Sequence, residues 1–324
     1  MKTKQEKCNI SRRKFLRYST LGLTGLTLLP AWMTVSGSTF PGESLISSLA
    51  ISGKPNSKFG GVQIGAITYS FRSMQEQSLP AILDYTLQAG ISSVELMGGS
   101  VEEYLGIPKS KDPDEIKKWR CSVSMDKFKG IKKMFNDKGV GIHILKLGDP
   151  NWSDEEIDYA FRACKAVGAK GITMEISETA AKRMSPFADK HKLYAIFHNH
   201  GQPGNPNFSF DKPLSYGTRL MLNLDVGHYF GATGLHPNAL IDRLHDRIFS
   251  IHIKDKTAKT ASPADKNKPL GSGDTPLAEI LHQIMQNKWP IYCDIELEYD
   301  IPTDSDAVKE VTKCVGYCRK ILED

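Results

Sequence analysis

Eight short β-like runs alternate with amphipathic helical runs from Val62 to the C-terminal end of the 324-residue chain. Several of these runs turn polar only at their C-terminal ends. No Gly-rich phosphate loop follows the first run, which ends Ile67-Thr68-Tyr69-Ser70-Phe71-Arg72. Together these observations predict an α/β chain folded as a (β/α)8 TIM barrel rather than a doubly wound open sheet. The composition, 40% hydrophobic and 24% charged, excludes collagen-like, coiled-coil and disordered classes.

Residues 1–37 hold seven of the 42 basic residues and one of the 37 acidic ones, so the formal net charge of +5 belongs to this stretch. The remainder carries 35 basic and 36 acidic residues. A nearly neutral body gives no support to a nucleic-acid partner. Ser11-Arg12-Arg13-Lys14-Phe15-Leu16, followed by the apolar stretch Leu21–Met33, has the layout of a twin-arginine export signal. That stretch is too short and interrupted to span a hydrocarbon core of ~30 Å. The expectation is a folded protein passed to the twin-arginine export machinery. It would be exported to the bacterial periplasm, with no stable membrane span after cleavage. Residues 38–58, rich in Ser, Gly and Pro, read as a linker, and 59–324 as a single catalytic TIM-barrel domain. Without Cys8 five cysteines remain, an odd number without zinc-like pairing, which is not a disulfide framework.

The β-like runs are Val62–Ser70, Ser92–Met97, Val140–Leu147, Gly171–Ile176, Leu193–His200, Leu220–Asp225, Ile248–Lys254 and Pro290–Glu298. Helical spacing of apolar residues predicts helices over Leu79–Gln88, Met125–Asp137, Asp154–Val167, Thr179–Lys190, Asn238–Asp246, Leu277–Gln286 and Asp306–Leu322. Gly90, Gly139, Gly168 and Gly171 fall where a helix should stop and a strand begin. Lys212–Thr218 is too short for a helix to be assigned. Three connections that follow strands are long: Gly98–Ser124, Gly201–Asp211 and Lys256–Pro276. In a barrel they lie on the face where active sites are built. The second and third, rich in Pro, Gly and Asn, suit a lid. Leu270-Gly271-Ser272-Gly273-Asp274 on its own reads as a helix start.

A buried parallel strand reads as a nearly continuous apolar run. The departures here sit at strand ends. The fourth run is Ile172-Thr173-Met174-Glu175, and the fifth Ile196-Phe197-His198-Asn199-His200. The sixth is Leu222-Asn223-Leu224-Asp225, then Val226-Gly227-His228. The seventh is Ile251-His252-Ile253-Lys254-Asp255, and the eighth Asp294-Ile295-Glu296-Leu297-Glu298. Residues two apart on a strand share a face, which pairs His198 with His200, His252 with Lys254, and Glu296 with Glu298. In a barrel those faces converge at one mouth. Burying an uncompensated charge costs several kcal/mol, so such a cluster calls for a cation. Oxygen and imidazole ligands without thiolates suit Mn²⁺, Mg²⁺, Co²⁺ or Zn²⁺. Glu95 and Lys146, ending the second and third runs, are placed to line the pocket. Blander roles compete: Asp225 stands where a helix N-cap would fall, Lys254 and Asp255 form a rim ion pair, and Glu298 reads as a solvated loop residue.

His198-Asn199-His200, Leu224-Asp225-Val226-Gly227-His228, Ile251-His252-Ile253-Lys254-Asp255 and Ile295-Glu296-Leu297-Glu298 occur in this order. In this combination the chain resembles the xylose isomerase-like barrels of the sugar phosphate isomerase/epimerase superfamily over about residues 60–322. The resemblance implies one divalent metal ion held by Asp225, His252, Glu296 and a fourth ligand. The family commonly draws that ligand from a strand-five Glu. Here strand five ends in His198-Asn199-His200 instead. Glu175 on strand four is then the first choice, with His198 or His200 as the alternative. The missing Glu also argues against a plain two-glutamate epimerase. The resemblance further implies a carbohydrate substrate and proton abstraction next to a metal-bound carbonyl of a sugar or keto-sugar. His200, Lys254 and Glu298 are candidate bases in that order. His228 would bind or protonate a substrate oxygen, and His198, Glu95 and Lys146 would contact substrate. Reprotonation gives an isomerase or epimerase. Loss of a β-substituent gives a lyase, dehydratase or hydratase acting on 3-keto-glycosides or keto-sugars. An endonuclease IV-like enzyme needs more His and Asp ligands than the chain offers. A sugar-binding homologue without turnover would keep the barrel. An oligomer is compatible with either.

Overall fold

The apolar runs form eight parallel strands: β1 (Val62–Ile67), β2 (Ser93–Met97), β3 (Gly141–Lys146), β4 (Gly171–Glu175), β5 (Tyr194–His198), β6 (Leu220–Asp225), β7 (Ile248–Ile253) and β8 (Tyr292–Ile295). Each pairs with its neighbours in chain order, and β1 pairs with both β8 and β2, so the sheet closes into a barrel. The strands are buried along most of their length because helices cover the outside and side chains fill the inside. The computed structural model describes residues 53–324. The signal expected at 1–37 and residues 38–52 of the expected linker lie outside the described residues. Residues 58–59 pair antiparallel with β1. The buried Ser57 hydroxyl donates to the Ile64 carbonyl and meets Ser92 Oγ, so the last residues of the expected linker are tied to the barrel.

The outer layer consists of α1 (Leu79–Gln88), α2 (Gly98–Tyr104), α3 (Pro113–Ser122), α4 (Met125–Asp137), α5 (Asp154–Val167), α6 (Glu178–His191), α7 (Asp211–Leu214), α8 (Val226–Thr233), α9 (Asn238–Leu244), α10 (Leu277–Asn287) and α11 (Ala307–Glu323). Local chemistry sets their ends. Ser153 and Glu156 form a reciprocal capping box that starts α5, and Gly168, at φ +86°, ends it. Asp112 caps α3 ahead of Pro113, and Asp306 caps α11. Gly65 is required by close approach. A Cβ on Gly65 would lie 2.0 Å from Asp294 Oδ1 and 2.9 Å from the Ser93 carbonyl. Asp294 also meets His143 Nε2 at 2.9 Å, and His143 Nδ1 meets Ser93 Oγ at 2.8 Å. This polar plug lies inside the barrel, and Tyr292 stacks on the His143 ring.

All seven expected helices form, within a residue or two, with Asn238–Asp246 ending as the 3-10 turn His245–Arg247. Four further helices, α2, α3, α8 and the single-turn α7, lie in connections that gave no helical pattern. In α3 no residue is fully buried, and its apolar contact is limited to partly buried side chains such as Trp119, which meets Tyr159 edge-on. Arg120 also fastens it, bonding Glu102 and Glu156 and lying 3.8 Å over the Trp152 ring. α8 spans eight residues and α2 seven, too few for a period of 3.6 to stand out. The polar tails expected inside the first, fifth, seventh and eighth runs leave the ladder one to three residues early. Thr68–Phe71 is a 3-10 turn, and His200, Lys254, Glu296 and Glu298 lie just beyond the strands. Those departures build the barrel mouth.

Candidate metal centre and active site

β5, β6 and β7 deliver His198, Asp225 and His252 to the mouth, and Glu296 follows the last residue of β8. One ligand atom from each of these four residues lies within 4.8 Å of the others, and all four are buried. Asp225 serves two purposes. Its Oδ1 accepts from the His228 backbone N–H at 2.7 Å and so caps α8. Its Oδ2 meets the Lys254 ammonium at 2.8 Å, outside hydrogen-bonding angles. Asn199, between β5 and β6, clamps the Asp225 backbone by donating to its carbonyl and accepting from its N–H.

His252 has no exposed surface and lies between two carboxylates. Its Nδ1 is 3.0 Å from Glu296 Oε2 and its Nε2 is 2.8 Å from Glu95 Oε2. Burial alone would depress its pKa, but Glu296 and Glu95 overcome this and hold the ring well above the usual imidazole range. Burial likewise disfavours the charge on Glu296, yet His252 and then Lys254 keep it ionised. Glu95, expected among the substrate contacts, is also without exposed surface. It sits behind His252 and accepts from Thr173 Oγ1 and Asn223 Nδ2. A carboxylate in that position orients a ligating histidine. His198 is the opposite case. Burial first and the His252 charge next push its pKa well below the usual range, so the ring is neutral. Its buried Nδ1 has no hydrogen-bond partner.

Lys254 Nζ contacts Asp225 Oδ2 at 2.8 Å, Glu296 Oε2 at 2.7 Å and Glu298 Oε2 at 2.8 Å. Burial opposes its charge, but these three carboxylates raise its pKa above the ordinary lysine value. It therefore pairs across the mouth rather than with Asp255. Asp255 instead accepts backbone N–H bonds from Gly271, Gly273 and Thr275 and anchors the long loop after β7. Glu298 is not a solvated loop residue. His228 and Lys254, against the opposing effect of burial, bring its pKa to about 2.

Glu175 stands apart from the four-residue cluster. It is 52% exposed, with Oε2 2.8 Å from His200 Nδ1 and Oε1 3.9 Å from Lys146. It forms a second acidic and imidazole group with His198 and His200. The buried four-residue cluster thus contains His198, the alternative assignment, while Glu175, the first choice, lies outside it. The hydrogen bond that His200 donates to Glu175 raises the pKa of His200 despite its partial burial. The His200 ring is 4.7 Å from that of His198 and 4.9 Å from that of His228. Lys146 and Glu175 line a cavity of about 460 Å³ that also touches Met97, Asp149, Asn151 and Thr173.

Asn199 and Asn223, polar residues of the strand ends, have no role assigned from sequence, and Lys256 is not singled out there. Lys256 is buried, 3.3 Å from His228 Nδ1 and 2.7 Å from Asp265. The rule of two that paired His252 with Lys254 extends to Lys256, and the same rule links Asn223 to Asp225.

The donors suit a divalent ion. Two imidazoles and two carboxylates converge, and the buried neutral His198 has an unpartnered Nδ1. Among the described residues no helix is long and apolar enough to cross a membrane. The five cysteines there are free thiols.

The sequence profile of the xylose isomerase-like TIM barrel family matches residues 83–315. No curated protein matches the chain. Among solved structures, a sugar phosphate isomerase/epimerase from Parabacteroides distasonis is similar at 18% identity and a TM-score of 0.58, covering 88% of this chain and 100% of its own. The probable 3-DHS dehydratase AsbF of Bacillus anthracis is similar at 14% identity and a TM-score of 0.57, covering 79% and 98%. The 3-keto-D-glucoside 4-epimerase YcjR of E. coli is similar at 13% identity and a TM-score of 0.53, covering 80% and 99%. Likeness at these identities is a likeness of fold.

Proposed function

Because the chain belongs to the xylose isomerase-like TIM-barrel family, we propose that it is a metal-dependent carbohydrate enzyme of the isomerase/epimerase type. The observation that carries this reading is the buried cluster of His198, Asp225, His252 and Glu296, with an unpartnered nitrogen on His198. These four residues would hold one divalent ion, of Mn, Mg, Co or Zn. When bound, such an ion supplies Lewis-acid polarisation of a sugar carbonyl and stabilises the negative charge that develops on proton loss.

The protein's own groups divide the remaining work. Lys254, held as an ammonium, and Glu298, held as a weakly basic carboxylate, are poor proton acceptors. His200 is the base this geometry favours. Its Nδ1 is oriented by Glu175, which leaves Nε2 to take the proton next to the carbonyl, and the same carboxylate stabilises the imidazolium formed. His228 accepts at Nδ1 from Lys256, so its proton rests on Nε2, 3.5 Å from Glu298. It is thereby set to donate to a substrate oxygen. Lys146 and Glu175 would grip hydroxyls in the adjoining cavity, whose volume is that of an ordinary small-molecule site.

A second reading, a lyase or dehydratase acting on keto-sugars or 3-keto-glycosides, is favoured by the single well-placed base. Loss of a β-substituent needs one proton acceptor, whereas epimerisation must return a proton to the opposite face. The twin-arginine layout around Arg12-Arg13 supports an exported protein and a substrate found outside the cytoplasm. The test combines chelator treatment and metal reconstitution with an NMR screen of sugars and keto-sugars in D₂O. Exchange of one proton next to the carbonyl supports the isomerase reading, and an unsaturated product supports the lyase. If the protein takes up no divalent metal and Asp225→Ala leaves turnover unchanged, both readings fall.

A further inference from the structure

Two of the three carboxylates that hold Lys254 belong to the proposed metal cluster. Asp225 Oδ2 and Glu296 Oε2 are 2.8 and 2.7 Å from its ammonium. A divalent ion held by these two carboxylates would lie close to the ammonium with little water to screen the repulsion, because Lys254 is 2% exposed. The third partner is different. Glu298 Oε2 is 2.8 Å from the same nitrogen, yet Glu298 lies outside the cluster, at the more accessible rim. Lys254 also follows the last residue of β7 and carries a flexible four-carbon stem, so its head can shift without disturbing the ladder.

We propose that Lys254 is a built-in competitor for the metal position, and that metal binding hands its ammonium over to Glu298. This inference rests on the metal reading above. In it Lys254 is a positioning residue that balances the buried carboxylates when no ion does so. Glu298 sets metal affinity without being a ligand, because it determines how readily the ammonium moves aside. A site open to metal for only a fraction of the time shows an affinity reduced by that fraction.

The experiment measures Mn²⁺ and Zn²⁺ affinity by calorimetry and chelator competition at one fixed pH. It uses the wild type, Lys254→Met, Glu298→Gln and the double variant, each checked for folding by circular dichroism. Lys254→Met is expected to tighten binding at least about tenfold, on the footing that the ammonium-free state is populated a tenth of the time or less. Glu298→Gln is expected to weaken binding by about the same factor, since the ammonium loses its alternative partner. The double variant should match Lys254→Met, because Glu298 acts only through Lys254. Metal binding that is unchanged or weaker in Lys254→Met, with the wild type binding normally, overturns this inference alone. So does a Glu298→Gln effect that persists in the Lys254→Met background. If neither the wild type nor Lys254→Met binds metal, the metal reading falls as well. Should Lys254→Met fail to fold, Glu298→Gln still decides: unaltered affinity there refutes the hand-over.

Discussion

Replacing Glu95 with Gln removes one charge from a site with no exposed surface, while keeping nearly the same shape. The lost attraction is that between Glu95 Oε2 and His252 Nε2, 2.8 Å apart. Glu95 also accepts from Thr173 and Asn223, and an amide can retain part of that bonding. Breaking a buried ion pair typically costs 3–5 kcal/mol, and Glu296 remains on the other side of the ring, so about 3 kcal/mol is expected. For a domain of this size that corresponds to a fall of roughly 6–10 °C in Tm. The pH dependence has a definite sign. His252 is held above its unfolded value, so its contribution is complete below about pH 6.5 and fades as pH rises through the folded value. Glu95 is held below its unfolded value, so its contribution is complete above about pH 4.3 and fades as pH falls through its folded value. The gap between wild type and Glu95→Gln is therefore widest near about pH 5–6.5 and narrows in alkali. Urea unfolding of chelator-treated protein at pH 6 and pH 9 measures it. A loss under about 1 kcal/mol, or an equal loss at both pH values, would refute the buried-pair account.

Asp225→Asn should keep the α8 cap, since Asn caps as well as Asp, yet abolish tight metal uptake. Metal content by mass spectrometry alongside Tm separates the two effects, and full metal retention would count against the cluster as the metal site. Glu175→Gln should lower the pKa of His200, because the Glu175 carboxylate is what raises it. The acid limb of kcat against pH should move to lower pH, with kcat reduced by about 10–100-fold from the misoriented base. An unmoved limb would remove His200 from the role of base. Arg120→Ala strips Glu102 and Glu156 of their cation and Trp152 of its stacking partner. About 2–3 kcal/mol of stability should be lost, together with hydrogen-exchange protection confined to residues 113–122. Protection unchanged in that segment would show that Arg120 does not hold α3.

Alternation of apolar runs, with glycines at helix ends, made the barrel readable, because the periods of 2 and 3.6 are properties of the backbone itself. The same rule brought Asp225, His252 and Glu296 to one mouth. It did not reveal α3, which has no fully buried residue and is held in part by the ion pairs of Arg120 with Glu102 and Glu156. Nor did it choose between Glu175 and His198. The two are register partners on adjacent strands, and only the closed barrel leaves one buried in the cluster and the other half exposed. Glu95 and His252 are 157 positions apart, and their pairing exists only across the barrel interior. The charge balance shows the division most clearly. From sequence, a buried cluster of carboxylates required a cation but left its identity open. In the folded protein the Lys254 ammonium and the charged ring of His252 already provide much of that charge. Local periodicity is set by bonded geometry, which the sequence carries. Which charges meet is set by distances across the lumen and by loss of water, and both exist only after the barrel has closed.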